Sequence, residues 1–486
     1  MLARALALSL AVLVFAGPNS ADGAFAAGVH PLRLLRGPGA CLSLWKVAGC
    51  GRAVGFTNPI AGVAMSSDGS SIYLPSENDA LFGALALNKS TGRLSQPSGR
   101  AACWTGALAV TGDSNNHVGA CRPVRGLSEV TRALAVSPDG RSVYVASGPR
   151  DEGFGPTQTE AVAVFARGAD GSLAQLPGAA GCVASAPLQG CTVVPGMTAQ
   201  DVSVARDGGH LYLGGSVLSV FARDPGTGAL AKRSCLSAGP APGCSPAPLH
   251  LSLGAPVFAS NGRYAYALGE HDPNSSMVPD AQAVVALAVD PASGDLTPLS
   301  GLGGCVSGYS ALGSLCALDR RFGPLAAGLV LAPRTGELYL TTSPVRYSPP
   351  APRGTPFDVL ALRLDAATGS MTAAGAACLS SVRRPGCAVD RHLGAVGAIA
   401  SSPDGRRLYG VTDTDVLALS RAPATGALRR LSPAVRGCVD PVAPCSRRRQ
   451  PINGPHQVLV SPDGRFAYVV SDVFGDTGTV AALALR

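Results

Sequence analysis

Any chemistry in this chain has to come from a scattered set of acids and histidines with a single arginine among them. They are Glu77 and Asp79, Glu129 and Arg132, Asp151 and Glu152, Asp201, Glu270 with His271 and Asp272, His392, Asp413 and Asp415, then His456, Asp472 and Asp476. A histidine in this set can pass a proton near neutral pH. Carboxylates brought together can hold a divalent cation, Ca²⁺ or Mg²⁺, through oxygen. Taken one at a time, each is more simply a solvated loop residue or a turn cap. The sequence has no Gly-x-Ser-x-Gly, no His-Glu-x-x-His, no phosphate-cradling glycine loop with lysine and no dinucleotide fingerprint. The set therefore gains meaning only from where the fold puts it.

What must position it is a repeat. The stretch Ser137 to Ser147, SPDGRSVYVAS, recurs from Met65, Ala205, Ala259, Ala332, Ser402 and Ser461, each copy with a tyrosine: Tyr73, Tyr144, Tyr212, Tyr266, Tyr339, Tyr409 and Tyr468. An Asp-Gly or Asn-Gly between two apolar, β-branched runs marks an antiparallel hairpin, since glycine and Asn/Asp tolerate positive φ. A second hairpin follows, as in AVAVFARGADGSLAQL (Ala161 to Leu176), SVLSVFARDPGTGAL and DVLALSRAPATGAL, turning at Gly92, Gly171, Gly228, Gly294, Gly369 and Gly426. Four antiparallel strands per unit, repeated along the chain, predict an all-β, seven-bladed β-propeller. The blades span about 60–97, 129–177, 200–233, 254–299, 325–374, 395–431 and 455–486. The last unit lacks a fourth strand, and Pro31-Leu-Arg-Leu-Leu35 near the N-terminus resembles one, so that segment is expected to complete blade seven and close the ring. Residues 22–486 then form one domain. Loops between second and third strands, and the starts of the first strands, all open on one face, where propellers usually bind ligands around the channel.

The leader and the cysteines set the compartment. Met-Leu-Ala-Arg, an apolar run from Ala5 to Gly17 and small residues at Ser20 and Ala21 read as a signal peptide over 1–21. No later run is long enough to span a membrane. An exported protein, extracellular or periplasmic, is expected. The 14 cysteines fall as Cys41/Cys50, Cys103/Cys121, Cys182/Cys191, Cys235/Cys244, Cys305/Cys316, Cys378/Cys387 and Cys438/Cys445. One pair lies in each connection from a fourth strand to the next first strand, which predicts seven local disulfides. Without Cys-x-x-Cys, a zinc site is disfavoured. The net charge of +8 is carried almost wholly by arginine, densest at Arg447-Arg-Arg449. Aromatics at 5% sit mostly on strands, which argues against a nucleic-acid partner and leaves a solvated arginine-rich loop or contact with an anionic glycan. Asn88 and Asn274 head glycosylation triplets, relevant only in a eukaryotic secretory pathway.

The run from Pro455 to Asp472, PHQVLVSPDGRFAYVVSD, continuing Val-Phe-Gly-Asp476, resembles a blade motif of the lactonase-like propellers, the family that includes bacterial 6-phosphogluconolactonase and carboxymuconate-cyclising enzymes. There the pattern is Pro-His, a strand, a turn, a second strand and Asp-Leu-Gly-x-Asp; here the glycine comes one place later. The resemblance implies that His456, Asp472 and Asp476 sit at the ligand-facing end. It also implies a lactonase in which His456 or a carboxylate activates water while an arginine or bound cation polarises the ester. Two functions follow. One is a secreted propeller that presents its loop face to a small molecule, glycan or protein without catalysis. The other is a lactone hydrolase or cyclase working in the channel.

Overall fold

A computed structural model shows an all-β protein. It describes residues 32–44, 47, 49–55, 62–76, 80–98, 102–106, 121–149, 159–271, 282–308, 314–322, 325–333, 335–343, 358–394, 396–412, 415–436, 452, 454–473 and 477–486. The expected leader, Cys438 and Cys445 lie outside them. The strands group into seven mainly antiparallel sheets, numbered here one to seven in order of their first strands. Sheet two shows the plan: Val130–Val136, Ser142–Gly148 and Ala161–Arg167 pair in succession, and an outer strand follows. First strands of neighbouring sheets pack side by side, which makes the fold a β-propeller. Sheets stacked on both faces explain why third strands read as unbroken apolar runs such as AVAVFAR instead of alternating.

The two chain ends share sheet seven. Leu32–Leu34 pairs antiparallel with the final strand, Leu32 opposite Leu485, and Cys41–Ser43 pairs further along it, Cys41 opposite Ala481. Leu42, Ile72, Leu74, Phe466, Tyr468 and Val470 form one cluster that packs sheet seven against sheet one.

The repeat tyrosine turns out to be a fastener. Tyr144 Oη donates to the Gly228 carbonyl in the second turn of the next sheet at 2.8 Å, and Tyr73, Tyr212 and Tyr266 reach Gly171, Gly294 and Gly369 in the same way. At two of these joins an arginine ending the neighbour's third strand completes the tie. The Nε–H of Arg223 donates to Tyr144 Oη at 2.8 Å, one terminal nitrogen to the Gly208 carbonyl at 2.8 Å, and the other to Asp139 at 2.9 Å. Arg167 repeats the arrangement on Tyr73, Gly140 and Asp68. A third join varies it: Tyr339 and Arg421 both bond to Glu337. The turn aspartate therefore differs from expectation. Gly140 takes the positive φ, 69°, while Asp139 stays on the ordinary side and accepts from the Arg141 N–H at 3.0 Å and from Ser137 Oγ.

These bonds fix a pH dependence. Burial alone would raise the Asp139 carboxyl, but Ser137, the Arg141 N–H and Arg223 outweigh it and hold the pKa below the ordinary value; Asp68, Asp404, Asp463 and Glu337 are lowered in the same sense. A carboxyl lowered on folding adds stability above its unfolded pKa and loses it as pH falls toward the folded one. Asp358 and Asp201, each raised mainly by desolvation, carry the opposite sign. The five lowered groups outnumber these two, so the melting temperature should fall progressively below about pH 4. Asp139→Asn should flatten that slope in a melting series; an unchanged slope would contradict the assignment.

Among the described residues there are six disulfides, Cys41–Cys50, Cys103–Cys121, Cys182–Cys191, Cys235–Cys244, Cys305–Cys316 and Cys378–Cys387. The pairing is local as expected, but the first cysteine of each lies in an outer strand, not in a connection. In sheet two the outer strand breaks at Pro177, which has no N–H for the ladder, and resumes as Cys182–Ala184 on the same partner strand. The chain then loops back through Cys191 and adds Thr192–Val193 in parallel as a fifth, rim strand.

Candidate functional site

Strand direction sorts each sheet into two ends. The SPDG-type turns and the arginine–tyrosine ties occupy one. At the other, first strands begin, second strands end and third strands begin. The register places Val130 opposite Gly148, Asp201 opposite Gly214, Ser252 opposite Glu270, Glu270 opposite Gln282 and Pro455 opposite Ser471. Glu129, Arg132, Asp201, Glu270, His271, His456 and Asp472 thus share the end opposite the ties. For His271 and Asp472 only the strand position is described. Glu77, Asp79, Asp151, Glu152, Asp272, Asp413 and Asp476 lie outside the described residues.

A bulge gives two of these residues a common role in the backbone. The first-strand register slips at Arg132 in sheet two, Ala327 in sheet five, Gly397 in sheet six and His456 in sheet seven. Each slip lies three residues before the one facing the repeat tyrosine, and Gln200 and Gly254 hold that place in sheets three and four. A bulge re-aims its side chain and bends the strand. Arg132 donates to the Pro149 carbonyl at 2.7 Å. A Cβ on Gly148 would stand 2.9 Å from Arg132 Nε and 2.6 Å from Glu160 Oε2, so the close approach of these two side chains requires glycine there. Glu160 also accepts the Ala199 N–H of the next sheet at 3.2 Å; the sequence reading missed it.

The residues actually brought together are Asp201 and Glu270. They line a cavity of ≈ 340 Å³ across the first strands of sheets three, four and five, with Gln200, Ser252, Leu253 and Leu329. Glycines let the wall close: a Cβ at Gly214 would come within 2.4 Å of the Ala255 nitrogen. Asp201 accepts N–H bonds from Val202 at 2.8 Å and Ala255 at 3.2 Å. The protein around it disfavours the charged form more than these bonds favour it, so its pKa is raised although the side chain opens toward solvent in the cavity. Glu270 accepts from Gln282 Nε2 at 2.6 Å, which orients it. The cavity therefore holds two fixed acceptors beside an apolar wall. Among the described residues no group of three or more His, Cys, Asp or Glu is placed to hold a metal ion.

His392 departs from expectation. It lies in the loop after Cys387, 80% exposed in its side chain, in a separate rim cavity with Asp390 at 3.6 Å. The reason is that the chain enters the first strand of sheet six from the rim strand Ala388–Val389, which the disulfide loop carries outward. Asp415 heads a third strand, and its N–H donates to Thr412 Oγ1 at 2.9 Å.

No family model matches the sequence, and no curated protein does. Solved structures do. A protein from Lactobacillus plantarum is 13% identical over 86% of this chain and 95% of its own, with a TM-score of 0.50. The periplasmic gluconolactonase PpgL of Pseudomonas aeruginosa is 16% identical over 84% of this chain and 87% of its own, TM-score 0.47. The Cps50 propeller domain of Myceliophteria thermophila is 10% identical over 88% and 97%, TM-score 0.47. At these identities the likeness reaches the propeller fold and no further. No described helix is long and apolar enough to cross a membrane.

Proposed function

We propose that this chain is an exported seven-bladed propeller, each sheet one blade and the ring closed by Leu32–Leu34, that binds a small polyhydroxylated molecule in its channel at Asp201 and Glu270. The observation that carries the reading is the ≈ 340 Å³ cavity in which both carboxylates, each oriented by protein hydrogen bonds, face a wall containing Leu253 and Leu329. Fixed carboxylates accept from adjacent hydroxyls, and an apolar wall packs against a ring face. The six disulfides fit an oxidising compartment. Calorimetric titration with sugars, polyols and aldonolactones tests it. The native chain should bind at least one, and Asp201→Asn with Glu270→Gln should weaken that affinity by about tenfold or more, from the typical worth of a hydrogen bond to a charged group. Equal affinity in the double variant would refute the site.

A lactone hydrolase remains the second reading, favoured by His456 standing at a bulge that re-aims it, in the same register as Arg132. It requires turnover of a lactone, with or without Ca²⁺ or Mg²⁺, that falls at least about 100-fold in His456→Ala, the lower range for a lost proton-transfer group. No turnover, or equal turnover in the variant, removes it.

A further inference from the structure

The rim of sheets four to six carries a second surface that the channel does not use. The disulfide loop of sheet five, Cys378 to Cys387, and the segment after it enclose a cavity of ≈ 610 Å³ lined by Ser381, Val382, Arg383, Val389, Asp390, Arg391 and His392. Its acid is already engaged: Asp390 forms an ion pair with Arg430, Nε 2.6 Å from Oδ2, accepts the His392 N–H at 3.0 Å and lies 3.6 Å from His392 Nδ1. Arg383 and Arg391 are exposed, and no described acidic side chain pairs with either.

The charge extends sideways. A terminal nitrogen of Arg384 donates to the Arg320 carbonyl at 3.1 Å, drawing the sheet-four loop against the sheet-five loop. Exposed Arg320 therefore borders the same surface, and exposed Arg429 lies on the outer strand of sheet six beside Arg430. The other nearby acids are spent on partners of their own: Asp319 holds Arg321 at 2.7 Å and buried Asp358 holds Arg384 at 3.4 Å. Like charges crowded at a surface cost stability, and a compensating anion relieves it.

We propose that this rim is a docking surface for an anionic polysaccharide, with one carboxylate or sulfate seated between Arg383 and Arg391 and further anionic units along Arg320 and Arg429. Guanidinium groups suit both oxyanions because their paired N–H donors match two oxygens at once. The cavity lining has no Phe, Tyr or Trp to serve as a stacking platform, which favours a saccharide over a single-stranded nucleic acid. The exposed apolar side chains Val389, Leu315 and Leu318 lie on the same rim loops and suit the hydrocarbon faces of sugar rings.

The test uses the full, oxidised chain against alginate, heparin and a single-stranded DNA oligomer of equal charge density at physiological ionic strength. Arg383→Ala with Arg391→Ala should weaken polysaccharide binding by about tenfold or more. Arg206→Ala with Arg233→Ala, which removes the same charge from sheet three, should change it little. Circular dichroism should be unchanged in both pairs, since these side chains are exposed. If alginate is preferred, the seated group is a carboxylate; if heparin, a sulfate. Absence of binding, equal losses from both pairs, or DNA binding as tight as that of either polysaccharide would each overturn the proposal.

Discussion

Reduced with dithiothreitol, the chain is expected to lose its fold at room temperature. Each described disulfide closes a short loop, nine residues apart in four of the six, and such a loop adds roughly 2–3 kcal/mol on the chain-entropy account. Over six loops the total is on the order of 15 kcal/mol, as large as the whole net stability of an ordinary protein, about 5–15 kcal/mol. The geometry says why the outer strands need them. In sheets one, two and four the outer strand is broken, in sheet two into Leu173–Gln175 and Cys182–Ala184, and there the disulfide fastens the rim strand Thr192–Val193 to it. Urea titrations with and without reductant, followed by tyrosine and tryptophan fluorescence, give the comparison. Superimposable curves would mean that the loops are ornaments on a ring that is stable without them.

Arg223→Ala is expected to have the largest effect of any single substitution among the inter-sheet ties, about 3 kcal/mol of lost stability, the lower end for breaking a buried ion pair because Asp139 is partly open to solvent. The guanidinium is fully buried and bonds across the join to Tyr144, Asp139 and Ser142, and within its own sheet to the Gly208 carbonyl. Its removal takes the counter-charge from Asp139, which keeps only Ser137 and the Arg141 N–H, and the donor from Tyr144 Oη, which keeps only the Gly228 carbonyl. Tyr144→Phe, which deletes only a hydroxyl, should lose about 1 kcal/mol. The ratio of the two, read from urea midpoints at constant slope, separates an arginine-centred tie from a tyrosine-centred one. Equal losses would contradict the arrangement.

Much of the fold was legible because its cause is local. Asp-Gly turns, apolar runs and tyrosine spacing each act within a dozen residues, and they located the hairpins; the resemblance of Pro31 to Leu35 to a fourth strand led to the pairing of Leu32 with Leu485. Local cysteine spacing likewise led to the correct partners, yet not to their place in the outer strand, because a strand broken at Pro177 looks like a loop in sequence. The ties were illegible for a different reason. Arg167, Arg223 and Arg421 were in view at the ends of third strands, but their partners lie 79 to 99 residues away.

The candidate site was legible as an end of the fold and not as a site. Strand order pointed to the face that holds Glu129, Asp201, Glu270 and His456. It could not show that Asp201 and Glu270 share one cavity, which depends on how sheets three and four meet at Gly214 and Ala255. Nor could it show that Arg132 and His456 are equivalent bulged positions, since a bulge adds a residue without changing the apolar pattern. His392 was assigned to the channel by its closeness to a first strand, and the disulfide loop carries it to the rim instead.

Hydrogen exchange of the full chain, with and without a polyhydroxylated ligand found by titration, addresses the channel site most directly. Protection is expected in peptides covering residues 200–204, 252–257 and 268–270, and not in those covering 378–392. Protection confined to 455–460, or none anywhere in sheets three and four, would contradict the account.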